Sequence, residues 1–181
     1  MKKLLVLVMV LAMASLANAT IIIQVDGQQT TDPESPINVM NGQVVTLGLY
    51  AQEEQGYFER LLGVTIDGTS EGAGGTFDLS AAVLDYKGDL SSLTLIDDPI
   101  GLFVGQVITT TFNDSADPPK TVIGQLASSI SFTVSGAIGD DISLAYIAET
   151  GTLDGQVLHI IPEPITMVLL GLGGLMLRRR R

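Results

Sequence analysis

Apolar and polar residues alternate with a period of two along most of the chain. Ile21, Ile23 and Val25 form one such run. Val45, Leu47 and Leu49 form a second, Leu62, Val64 and Ile66 a third. Ile130, Phe132 and Val134 alternate with Ser129, Ser131 and Thr133, and Ile142, Leu144 and Tyr146 repeat the pattern. Side chains two apart on an extended backbone share a face, so each run predicts a strand with one buried side. Turn signals fall between the runs at Asp26-Gly27, Asn41-Gly42, Asp67-Gly68, Gly139-Asp140-Asp141 and Asp154-Gly155. The spacing predicts nine strands, near 20–25, 43–50, 59–66, 76–84, 92–96, 102–111, 126–135, 142–148 and 156–161. Short strands at this spacing specify an all-β domain, a single β-sandwich or jelly roll, rather than an α/β fold. The one helix-like stretch, Ala51 to Leu62, is interrupted by Gly56 and predicts a helical turn at most.

Both ends of the chain break the alternation. Residues 1–19 carry Lys2 and Lys3, an apolar run from Leu4 to Leu16, and Ala17-Asn18-Ala19. Positive charge, apolar run and a small-residue A-x-A site in that order describe a secretory signal peptide. Its helix is expected to be removed by signal peptidase after Ala19, leaving Thr20 as the first residue of the exported protein. At the other end, Pro162-Glu163-Pro164 precedes an apolar run from Ile165 to Leu177 and then Arg178, Arg179, Arg180 and Arg181. The prolines lack N–H groups and favour extended geometry, which keeps the tripeptide out of a helix interior. Thirteen apolar residues make a helix of about 20 Å against a hydrocarbon core of about 30 Å. The four arginines belong on the cytoplasmic side of a membrane. Export of the N-terminus and retention of this basic cluster then agree on topology, with the domain outside.

Tripeptide, apolar run and arginine cluster together resemble the PEP-CTERM sorting signal of exported Gram-negative proteins. The resemblance implies that an exosortase, a membrane protease, reads Pro162, Glu163 and Pro164. It implies that residues 165–177 lie in the membrane before processing, whether the tail is then cut or kept. The chain thus divides into a signal peptide at 1–19, a β-domain at 20–161 and a sorting segment, a short hydrophobic helix, at 162–181. Localisation at the outer surface or in the extracellular matrix follows as an expectation.

Composition narrows what the domain does. Residues 20–161 hold three basic residues, Arg60, Lys87 and Lys120, against nineteen Asp and Glu, a net charge of −16. Such a field repels phosphates and argues against nucleic acid as a partner. Cysteine is absent, so the domain depends on its apolar core and has no thiol chemistry. His159 is the only histidine, which excludes multi-histidine metal sites. The glycines at 72–75 lack the Lys-Ser/Thr of a phosphate cradle and predict a loop. No metal or cofactor is expected; calcium on loop carboxylates and carbonyls is the one ion the chemistry leaves open.

Val25-Asp26-Gly27, the run from Tyr86 to Leu93 and the closing strands around Asp140 and Asp154 resemble cohesin-like domains of surface proteins. That likeness implies a non-enzymatic structural or interaction protein, with another surface protein as a partner. Two other readings stay open. A carbohydrate-binding module for exopolysaccharide needs exposed rings, for which Tyr50, Tyr57, Phe58, Tyr86 and Tyr146 are the candidates. A secreted hydrolase needs convergent acids, for which Glu53-Glu54, Asp97-Asp98 and Asp140-Asp141 are the adjacent pairs.

Overall fold

A computed structural model describes residues 21–28, 35–55, 58–86, 88, 90–112, 122–148 and 153–164, and among them eleven strands pair into two sheets. The strands are β1 (Ile21–Val25), β2 (Ile37–Met40), β3 (Val44–Gln55), β4 (Phe58–Val64), β5 (Gly74–Asp78) and β6 (Val83–Leu84). They continue with β7 (Ser92–Asp97), β8 (Gln106–Phe112), β9 (Val122–Ser135), β10 (Asp141–Ala148) and β11 (Leu153–Ile161). One sheet runs β1-β3-β9-β5, with the short β6 also on β9; the other runs β2-β11-β10-β4-β8-β7. Every pairing is antiparallel except β2 with β11.

The two sheets close on the residues that alternation marked. Leu47, Leu49, Ile130 and Phe132 from the first sheet meet Leu62, Ile142, Leu144 and Tyr146 from the second, all without solvent contact. Burying each such side chain stabilises the fold by about 1.5–3 kcal/mol. Phe77 packs against Phe132 with ring centroids 4.9 Å apart, and Tyr86 meets Phe112 edge-on at 5.9 Å. A bonded polar pair lies inside. The Tyr146 hydroxyl and Thr110 Oγ1 are 2.6 Å apart, and the Arg60 guanidinium stands 5.6 Å from the Tyr146 ring centre. Burial pushes the Tyr146 phenol well above its ordinary pKa, outweighing the Thr110 bond and the Arg60 charge, so the hydroxyl stays protonated.

The all-β, two-sheet prediction holds, and several boundaries move. Ala51–Gln55 and Phe58–Leu62 are strand rather than helical turn, because β3 and β4 extend to meet β9 and β8. The expected strand at 76–84 is two pieces, β5 and β6. The expected strand at 102–111 starts only at Gln106. Gly101 and Gly105 take φ of +71° and +76°, which breaks the extended path before it. Ile66 lies beyond the end of β4 and is 53% exposed, unlike Leu62 and Val64. Gly74 and Gly75 open β5 instead of forming a loop. Asp154-Gly155 is no turn: both residues pair within β11, opposite Tyr146 and Ala145. The four-residue β2 was not anticipated. The signal segment, the apolar run 165–177, Ala17, Ala19, Tyr57 and Arg178 to Arg181 lie outside the described residues. Among those described, no helix is long and apolar enough to cross a membrane.

Candidate interaction face

Register decides which loops share an end of the sandwich with Pro162-Glu163-Pro164. Asp141 at the start of β10 pairs with His159 near the end of β11, and Val64 at the end of β4 pairs with Leu144. Asp97, the last residue of β7, pairs with Gln106, the first of β8. The segments 65–73, 98–105 and 136–140 therefore gather where β11 finishes. Pro162, Glu163 and Pro164 leave from that end. Ile161 is still paired with Met40, Pro162 is half-buried, and Glu163 and Pro164 are exposed.

Local bonds hold these loops. Asp98 accepts the N–H groups of Ile100 and Phe103, each at 2.9 Å. Partial burial opposes ionisation of Asp98, yet the N–H groups of Phe103, Ile100, Gly101 and Leu102 outweigh it and hold the carboxyl below its ordinary range. Ile66 N–H bonds to the Leu102 carbonyl and Val104 N–H to that of Val64, so residues 98–105 form a strap over the outer face of the second sheet. Phe103 lies against Gly63, where any Cβ would stand 2.5 Å from the ring. Asp141 N–H donates to Ser70 Oγ, and Ser143 N–H to Thr69 Oγ1.

Small side chains carve a cleft beside the strap. Gly63, Ala145 and Gly155 are register partners across β4, β10 and β11 and form a row with almost no bulk. Phe103 fills the trough over Gly63. Beyond it lies an opening of about 320 Å³, with Ala145, Ile147 and Gly155 against Ile66, Asp67 and Leu102. Thr65 and Ser143 contribute hydroxyls to its lining. The cleft can take an aliphatic group.

The other candidates do not converge. Asp97 ends β7 with Oδ1 3.4 Å from the Gln106 amide nitrogen, while Asp98 fastens the strap. Asp140 accepts the Ala137 N–H at 2.7 Å. Asp141 instead holds His159, Oδ1 to Nδ1 at 2.7 Å, a pair that sequence reading missed because its members lie eighteen residues apart. No three acidic or histidine side chains gather around a metal-sized space among the described residues. The side chains of Glu53 and Glu54 lie outside the described set. Of the aromatic candidates, Tyr86 and Tyr146 are core residues, and Tyr50 alone among the described rings reaches solvent, half-buried.

No family model matches the chain, and no curated protein does. Several solved structures are similar to it. CaCohA2 of Clostridium acetobutylicum is 14% identical at a TM-score of 0.44, over 81% of this chain and 94% of its own. A non-cellulosomal cohesin of Archaeoglobus fulgidus is 9% identical at 0.42, over 82% and 96%. The sixth cohesin of Acetivibrio cellulolyticus scaffoldin B, solved in complex with a Cel5 dockerin mutant, is 12% identical at 0.41, over 77% and 98%. The fold described above rests on its own sheet order and register.

Proposed function

We propose that the chain is an exported, non-enzymatic interaction module of the cell surface or extracellular matrix, delivered by an exosortase-type sorting system. The observation that carries this reading is the position of Pro162-Glu163-Pro164. The tripeptide follows the last paired residue of β11, is exposed at Glu163 and Pro164, and leads into an apolar run closed by four arginines. Pro162 and Glu163 are irregular and Pro164 already takes helical geometry, so the segment is extended only up to Glu163. A proline-framed link between a folded domain and a membrane-seeking helix is what a membrane protease can grip. Signal peptidase would act first, after Ala19, and the sandwich would then fold outside. Its partner is another surface macromolecule. A protein suits the domain better than a polysaccharide, because six of the seven described aromatic side chains are buried and stacking on sugars needs exposed rings.

The test replaces Pro162, Glu163 and Pro164 with alanine in a cell that carries an exosortase. Export should continue, and the protein should accumulate in the membrane fraction with residues 165–181 attached. A mature protein unchanged in size and location would reduce the tail to a plain anchor and overturn the sorting reading.

A further inference from the structure

Nine large apolar side chains are exposed among the described residues: Val44, Ile66, Val83, Leu90, Ile100, Leu102, Val104, Ile123 and Ile138. They are not spread evenly. Ile66 and Ile138 lie in the turns after β4 and β9, Ile100, Leu102 and Val104 in the strap, and Val44 opens β3. Register puts all six at the end where β11 finishes. Scattered exposed apolar residues are ordinary, but a concentration at one end marks a contact surface.

The same end has no spacer before the sorting motif. A residue spans at most about 3.6 Å, so Glu163 lies within about 7 Å and Pro164 within about 11 Å of Ile161. An enzyme that takes the tripeptide into its cleft must therefore touch the sandwich. We infer that the tail-bearing end, with Ile66 and Leu102 exposed beside the small-residue cleft and Ile138 exposed in the turn after β9, is a docking face for the membrane protein that processes the tail. This inference rests on the sorting reading above.

Charge selects a protein over the bilayer as the occupant. Asp67, Glu71, Asp98, Asp140, Asp141 and Glu163 surround these side chains, and no described Lys or Arg lies at this end. Anionic lipid would be repelled by such a rim. A protein face that is apolar at its centre and basic at its edge complements it. An aliphatic side chain of that partner fits the opening over Ala145 and Gly155.

Pulse–chase measurement of tail removal from the full chain, in cells carrying an exosortase, tests this. The face variant combines Leu102→Asp with Ile138→Asp. The control combines Leu90→Asp with Ile123→Asp, side chains of comparable exposure, 55% and 58%, away from this end. Loss of two apolar contacts should slow tail removal by about fivefold or more, while the control stays within about twofold of the parent. Protease resistance of the exported domain checks folding, and the milder pair Leu102→Ser and Ile138→Ser should give a smaller slowing in the same direction. If the face variant is processed at the parent rate while alanine at 162–164 blocks processing, the inference fails and the sorting reading stands. If alanine at 162–164 changes nothing, both fail together. A face variant that is processed normally but leaves phosphatidylethanolamine–phosphatidylglycerol vesicles more readily would assign the end to the bilayer and overturn the inference.

Discussion

The core between the sheets and the loops at the tail-bearing end are stabilised by different forces. Leu47, Phe132, Leu144 and their neighbours are held by exclusion of water, a force without direction that tolerates no voids. The end loops are held by aimed bonds: Asp98 to two N–H groups, Asp140 to Ala137, Ser70 and Thr69 to the start of β10. Such bonds fix loop shape at little net gain, because water competes for the same groups. This leaves the loops tied by bonds while apolar side chains such as Ile66, Leu102 and Ile138 stay exposed.

The largest expected effect therefore belongs to the core. Phe132→Ala removes the ring between Phe77 and the Gly75 backbone, where a Cβ would stand 2.4 Å from Phe132 Cζ. It should cost about 3–5 kcal/mol in chemical denaturation; a cost as small as that of a loop substitution would show that the sheets are not packed as described. Next comes the junction of the two regions. Gly63→Ala drives a methyl into Phe103 and Val107 and should cost about 1–3 kcal/mol. Hydrogen exchange should rise at the N–H groups of Ile66 and Val104, which tie the strap, while the N–H groups of β9 stay protected. Uniform loss of protection would mean that strap and core are one cooperative unit.

Asp98→Asn ranks lower and tests charge. The folded carboxyl titrates below its unfolded range, so its contribution is complete above about pH 4 and is lost as the pH falls through the lower folded value. The variant should melt roughly 3–5 °C lower at pH 7, and the gap should close at strongly acidic pH. A gap independent of pH would remove the carboxylate from the account. His159→Ala should do least, less than about 1 kcal/mol, because the Asp141 pair is half open to water.

The same contrast explains what could be read from the sequence. Period-two alternation is local, and it identified the buried faces of β3, β9 and β10 by residue. The strap was misread because Leu102-Phe103-Val104 imitates a strand, whereas its path is set by glycines at 101 and 105 and by the Asp98 carboxylate. Gly155 looked like a turn residue beside Asp154. Its smallness serves a paired strand, where an added Cβ would stand 3.1 Å from the Leu144 carbonyl. Strand β2 was missed because four residues pairing in parallel with a strand over a hundred positions away leave no local signal. The bulge at Ser129, at φ +57°, shifts the register of β9 against Gly48 and is equally non-local. Pro162, Glu163 and Pro164 lie at the opposite extreme: they form a contiguous tripeptide, legible without any fold. The loops around them come together only through the pairing of β2, β3, β4, β7, β8, β9, β10 and β11.

Intact-mass and terminal-peptide analysis of the protein recovered from the producing cell's surface tests the central claim most directly. The account predicts a chain that begins at Thr20 and ends near Pro162 to Pro164, with no peptide from 165–181 in the released material. Released protein that retains Leu11 to Leu16, or that carries the apolar run through to Arg181, would contradict it.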